Sequence, residues 1–169
     1  MKQHTDPASP AALYQWAAAR CAQKEYCASE LTQKFRQRGA SLSDIESVIA
    51  RLEDEGYLDE ARYARAFASD KFRFDHWGRV KITYHLRHKG ISSTAITEAL
   101  SEIDEEEYQA SLCDFLQSRL RTLRDSTPED PSTPDSSSNA LSPSSRQKLI
   151  RAAVTRGFEL ELVLREMGE

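Results

Sequence analysis

Apolar residues recur along this chain at helical spacing, and three times they take the same arrangement around a glycine. Eight and four positions before Gly39 stand Leu31 and Phe35; before Gly90, Ile82 and Leu86; before Gly157, Leu149 and Ala153. The i, i+4 spacing puts each pair on one face of a helix that runs into the glycine. The residue just before the glycine is basic in every copy, Arg38, Lys89 and Arg156, which suits the negative end of a helix dipole. Glycine is the residue most able to take the left-handed conformation that closes a helix. Six and ten positions further on come Ile45 and Ile49, Ile96 and Leu100, then Val163 and Met167. This is a second amphipathic helix in register with its copies. The stretches RQRGAS, RHKGIS and TRGFE are therefore one joint between two helices, written three times.

A further helix precedes each pair. Leu13, Trp16, Ala17 and Arg20 mark the first; residues 59–74 form the second, with Asp59 as cap and Tyr63 and Phe67 one turn apart. The third carries a stripe of Tyr108, Leu112, Phe115, Leu116, Leu120 and Leu123. Ser43 with Glu46 spells a capping box for the helix after Gly39, and Ser93 reads as the cap of the helix after Gly90. No segment has the alternation of a strand. The expected fold is all-α, a tandem array of three three-helix repeats, elongated or curved, each too small for a core of its own. The repeats span 11–57, 58–104 and 105–169, after a disordered tail at 1–10. The glycines lie 51 and then 67 residues apart. The excess falls on residues 125–145, DSTPEDPSTPDSSSNALSPSS, which have almost nothing apolar to bury. That tract reads as a flexible insertion, ended by Ser142 as cap and Pro143 at the first helical position.

Composition narrows the class. The 169 residues carry 23 basic and 27 acidic side chains, net −4, so bulk charge does not point to nucleic acid. Cys21, Cys27 and Cys113 are odd in number and form no CxxC pair, which argues for free thiols and a reducing, cytoplasmic setting. No run approaches a membrane span, and MKQHTDPASP lacks the apolar core of a signal peptide. The expectation is a monomer without a membrane partner.

Charge distribution is more informative than its sum. Between Lys71 and Gly90 the chain places Lys71, Arg73, Arg79, Lys81, Arg87 and Lys89 against one acid, Asp75, for a local net of +5. Such a strip is either a solvated face with helix-end cations or a surface for DNA phosphate or an acidic partner. Phe74 and Trp77 interleave with it and would suit stacking on unpaired bases, although large aromatics near a helix start are more often core. His85 and His88 lie one turn apart, but a zinc site needs four convergent ligands, and no spacing here supplies them with His76 or the cysteines. The acids at Glu53–Glu55 and Asp104–Glu107 read as exposed helix ends and lack the neighbours that complete a catalytic pair. No phosphate loop, nucleophile elbow or HExxH motif occurs. No enzyme, cofactor or metal is expected.

The joint between the first two repeats reads EDEGYLDEARYARAFASDKF. With the helices around it, this resembles the RecX family, regulators of the bacterial RecA recombinase. The resemblance rests on Gly56, Tyr57, Leu58, Asp59 and Glu60, then Arg62, Tyr63 and Ala64. It continues with Gly78 and Arg79 opening the next helix, Lys89, Gly90 and Ile91 at the turn, and Arg156, Gly157 and Phe158 near the end. It covers about residues 13–166 outside the insertion. The resemblance implies tandem three-helix units that bind RecA filaments on DNA and restrain recombinase and ATPase activity. It also implies regulation of DNA repair, recombination and the SOS response, with no cofactor and no reaction of its own. Single-stranded DNA is then a partner directly or through the filament. Gly56, Tyr57, Leu58, Asp59, Arg62, Gly78, Gly90 and Gly157 would hold the fold. The chain departs from the family's pattern at Cys27, where a capping serine is usual, and in the long insertion. Two other classes remain at this stage: a helix-turn-helix type DNA-binding protein and a plain helical scaffold.

Overall fold

A computed structural model describes residues 9–125 and 142–168. Among these residues the chain forms nine helices and no strand. They are α1 (Pro10–Cys21), α2 (Ala28–Gln37), α3 (Leu42–Asp54), α4 (Glu60–Arg73), α5 (Arg79–His88), α6 (Ser93–Ser101), α7 (Glu105–Asp125), α8 (Pro143–Arg156) and α9 (Leu160–Glu166). Most of the tract read as an insertion, residues 126–141, lies outside the described residues, as does most of the N-terminal tail. The inner edges of both are helical: Ser9 caps α1 with Pro10 in its first turn, Asp125 ends α7, and Ser142 caps α8 with Pro143 at its start.

Each glycine turn ends its helix with the same hydrogen bonds. After α2 the Ala40 N–H donates to the Phe35 carbonyl, after α5 Ile91 donates to Leu86, and after α8 Phe158 donates to Ala153, each at 3.1 Å. The six-residue loop so closed needs a left-handed residue at its neck. Gly39, Gly90 and Gly157 supply it, with φ of 76°, 81° and 101°. Leu31, Phe35, Ile82, Leu86, Leu149 and Ala153, the pairs that approach the turns, are all fully buried or nearly so.

Two caps differ from the sequence reading. The cap of α3 is Ser41, not Ser43: its extended backbone aims Oγ at the Asp44 N–H, 3.1 Å away. The cap of α6 is Ser92, not Ser93, with Oγ accepting from Ala95 N–H at 3.3 Å. In both repeats the chain needs only one residue between the glycine and the cap. The small polar residue at the end of GAS and GIS therefore begins the next helix.

The described chain divides into two compact units that do not follow the repeats. The first holds residues 1–69 and 84–102, the second 70–83 and 103–169, so α4 and α5 each contribute to both. Within the first unit, Leu13, Ala17, Tyr26, Leu31, Phe35, Ile45, Val48, Leu52 and Leu58 form one apolar cluster. Eight of these nine residues come from the first repeat and Leu58 from the second, so the first repeat builds most of a core, more than the sequence led us to expect, and its neighbour completes it. Tyr26, Phe35 and three leucines of the first repeat supply most of the bulk. Within the second unit, Phe72 and Ile82 of the middle repeat are buried with Tyr108, Leu112, Leu149, Phe158 and Val163. The ring of Tyr108 lies 5.8 Å from that of Phe72 and 5.4 Å from that of Phe158.

Candidate partner-binding surfaces

The joint after α3 in the first unit is held by one arginine. Gly56 turns the chain with φ 75°, and the N–H groups of Tyr57 and Leu58 both donate to the Leu52 carbonyl. Leu58 is buried in the apolar cluster, while the Tyr57 ring meets Tyr14 edge-on at 6.3 Å. Asp59 caps α4 by accepting from the Arg62 N–H at 2.8 Å. The Arg62 guanidinium then donates to the carbonyls of Gly56 and Tyr57 at 3.1 and 3.3 Å and to Glu25 at 2.5 Å. Arginine suits this place because its fork reaches several acceptors at once.

The basic strip breaks into paired and unpaired members. Lys89, in the first unit, donates to Glu30 at 2.6 Å and is largely covered. Glu30 also accepts from Tyr63 Oη at 3.0 Å and from the Cys27 N–H at 3.4 Å. Burial pushes the Glu30 carboxyl up, but Lys89 and these donors outweigh it and hold it below the usual carboxylate range. In the second unit Lys71 pairs with Asp75 at 2.6 Å, and Arg79 pairs with Glu105 at 2.8 Å. Arg79 also lies over the Tyr108 ring at 4.0 Å, and its N–H donates to Tyr108 Oη. Lys81 sits 4.4 Å from the centre of the Trp77 ring. Arg73 and Arg87 are exposed and belong to no ion pair among the described residues. Half of the strip is thus occupied inside its own unit. Phe74 is 77% exposed, so it is not core.

A second concentration of cations, which the sequence reading passed over, lies in the second unit. A cleft of about 520 Å³ is lined by Lys81, by Phe115, Arg119 and Leu123 of α7, and by Lys148, Arg151, Ala152, Thr155 and Arg156 of α8. No acidic side chain lines it. Arg156 is fixed: it donates to the Asp75 carbonyl at 3.1 Å and lies over the Phe115 ring at 5.4 Å. Arg119, Lys148 and Arg151 are exposed and form no ion pair among the described residues. One signal was available: α8 carries four cations and no acid.

Gly78 and Gly157 meet within the second unit. The Gly78 N–H donates to the Arg156 carbonyl, and the Val80 N–H to the Gly157 carbonyl, both at 3.0 Å. A Cβ on Gly78 would lie 2.2 Å from the Gly157 carbonyl carbon and oxygen. The start of α5 and the end of α8 therefore touch backbone to backbone.

No three His, Cys, Asp or Glu side chains come together as metal ligands among the described residues. His85 and His88 both contact the Tyr84 ring, at 5.5 and 5.8 Å between centroids. Cys21, Cys27 and Cys113 are free, and burial pushes the Cys21 and Cys113 thiols up, away from the reactive thiolate. Among the described residues no helix is long and apolar enough to cross a membrane.

Comparison with known proteins places this arrangement. A family model described as RecX, second three-helix domain, matches residues 59–100. The regulatory protein RecX of Pseudomonas putida strain GB-1 is 32% identical over 156 residues, which span 92% of this chain and 88% of that protein. The chain belongs to the RecX family. The regulatory protein RecX of Pseudomonas savastanoi pv. phaseolicola is 38% identical over 94 residues, spanning 56% of this chain and 60% of that protein. The crystal structure of a regulatory protein RecX superposes with a TM-score of 0.74 at 19% identity, covering 95% of this chain and 74% of that one. At that identity the likeness speaks for the RecX fold alone. The RecX family model covers Asp59, Arg62, Gly78 and Gly90 together with all six residues of the basic strip.

Proposed function

We propose that this chain regulates a RecA-type recombinase by binding its filament on DNA, and that it restrains recombination and ATP hydrolysis without chemistry of its own. The observation that carries this reading is the match to a regulatory protein RecX along 92% of the chain. In this reading the chain acts as a monomer in the cytoplasm and takes part in regulating DNA repair. Single-stranded DNA is met through the filament or directly. The basic strip of Lys71, Arg73, Arg79, Lys81, Arg87 and Lys89 contacts the filament. Arg73, Lys81 and Arg87 supply the free charge, while Lys71, Arg79 and Lys89 shape the surface through their internal partners.

The test adds the purified chain to a recombinase assembled on single-stranded DNA and follows ATP hydrolysis. A dose-dependent fall in rate is expected. Replacing Arg73, Lys81 and Arg87 together by Ala weakens the effect and leaves helicity unchanged. An unaltered rate at saturating protein with every recombinase tried would sink the reading. Full potency in the triple variant would remove the strip from it.

A further inference from the structure

The cleft between α7 and α8 combines features that a solvated helix surface does not need. Its lining holds five cations and no acid, in a chain of net −4. Glu107 and Asp114 line the neighbouring hollow, which shares only Phe115 and Arg156 with the cleft. The walls also have a rhythm. Along α7, Phe115, Arg119 and Leu123 follow at i, i+4 and i+8, so apolar and cationic rungs alternate about every 6 Å. Along α8, Lys148 and Arg151 are one turn apart on the facing wall. Arg156 is already locked by Asp75 and Phe115, so its charge is fixed in place before any ligand arrives.

We infer that this cleft binds the backbone of single-stranded nucleic acid. Phosphodiesters carry a permanent charge at each nucleotide with a flat apolar base beside it, and alternating cationic and apolar rungs meet both. A duplex hides its base faces and would meet the cationic rungs alone. An acidic peptide supplies charge but no flat apolar base beside each charge to meet the apolar rungs. The site is separate from the basic strip apart from Lys81, and the inference stands independently of the recombinase reading.

Its test uses the whole chain, a fluorescently labelled oligothymidylate and no recombinase. Anisotropy titrations at increasing salt read both affinity and its slope. Neutralising three phosphates through Arg119, Lys148 and Arg151 contributes about −2 to the log–log slope on a single strand. Replacing these three exposed residues together by Ala is expected to weaken binding by about tenfold or more and to flatten the slope by that amount, with an unchanged melting temperature. Removing the same number of charges at Lys34, Arg36 and Arg165, none of which lines the cleft, is expected to change affinity by less than about twofold. Equal affinity in the cleft variant and wild type overturns the assignment. So does a wild type that shows no binding at low salt. Polyglutamate that competes as well as unlabelled oligothymidylate, at equal charge, also overturns it, because the cleft would then be reading charge alone.

Discussion

The glycine turns of the two units do the same geometric work in different surroundings. Gly39 and Gly90, in the first unit, are exposed, and a Cβ added to either would meet nothing within 4 Å. Gly157, in the second, is buried, and its Cβ would lie 2.3 Å from Lys81 Cβ and 2.7 Å from Lys81 N. The first two positions ask only for a backbone that tolerates positive φ. The third asks for that and for the absence of a side chain, because the start of α5 occupies the space. One sequence motif thus carries a local requirement in two copies and a tertiary requirement in the third. The same division separates the buried tyrosines. Tyr63 of the first unit donates one hydrogen bond, to Glu30, whereas Tyr108 of the second donates to Glu159 at 2.6 Å and accepts from Arg79 N–H at 2.9 Å.

The largest effect is expected at Gly157. Gly157→Ala adds a backbone-level clash to the strain of positive φ, together about 3–4 kcal/mol, or roughly 10 °C in melting temperature. Gly78→Ala meets the same crowding from the other side without the φ penalty and should cost about 2–3 kcal/mol. Gly90→Ala and Gly39→Ala carry strain alone, about 1–2 kcal/mol each. Thermal melts of the four variants give the ranking. Equal losses at Gly90 and Gly157 would break the comparison.

The tyrosines sharpen it at smaller amplitude. Tyr108→Phe strips a buried acceptor from the Arg79 N–H and a donor from Glu159 and is expected to cost about 2 kcal/mol. Tyr63→Phe removes one bond, and Glu30 keeps Lys89, so about 1 kcal/mol is expected. Urea unfolding of both variants measures the difference, and the reverse order would show that Lys89 does not compensate.

The smallest effect is in pH dependence. The Glu30 carboxyl is held below its ordinary value, so its contribution is fully present above the unfolded pKa, near 4.5, and is lost as pH falls through the lower folded value. Glu105 is shifted the same way by Arg79 and Gln109 but is more exposed, so solvent screens more of its contribution. The stability gap between wild type and Glu30→Gln should therefore be present at pH 7 and shrink as pH falls below 4.5 through the lower folded value. For Glu105→Gln the gap should be smaller throughout. A Glu30 gap that widened on acidification would mean that burial, not Lys89, sets the carboxyl's state.

Much of this architecture is legible in the chain because it is local. The i, i+4 pairs before each glycine and the helix stripes need only short spacings, and the buried residues follow them. The caps Ser41 and Ser92 were spelled out in GAS and GIS. The lure at Ser43 was a good capping-box pattern that begins two residues too late. The internal partners of the basic strip were out of reach for a different reason. Counting charge along 71–90 cannot register that Lys89 meets Glu30, 59 residues away, or that Arg79 meets Glu105. The cleft was hidden by the opposite arithmetic. Its cations on α7 and α8 flank a tract containing Asp125, Glu129, Asp130 and Asp135, which offset them in any running sum. Gly78 was visible as part of a pattern, but its reason, the Gly157 carbonyl against it, belongs to the packing.

The division of the middle repeat between two compact units has a consequence for heredity as much as for folding. Residues 58–104 are the segment the sequence pattern marks as one repeat, and the family model for a second three-helix domain matches 59–100 within it. Yet Ser69 and Asp70 of α4 fall in different units, as do Thr83 and Tyr84 of α5. The repeat pattern therefore changes over in the turns, while the division into compact units runs through the middle of helices. A recombination event that moved residues 58–104 into another chain would carry the pattern but leave behind the partners of Tyr63, Phe72 and Arg79. Fragments that keep their packing must begin and end elsewhere.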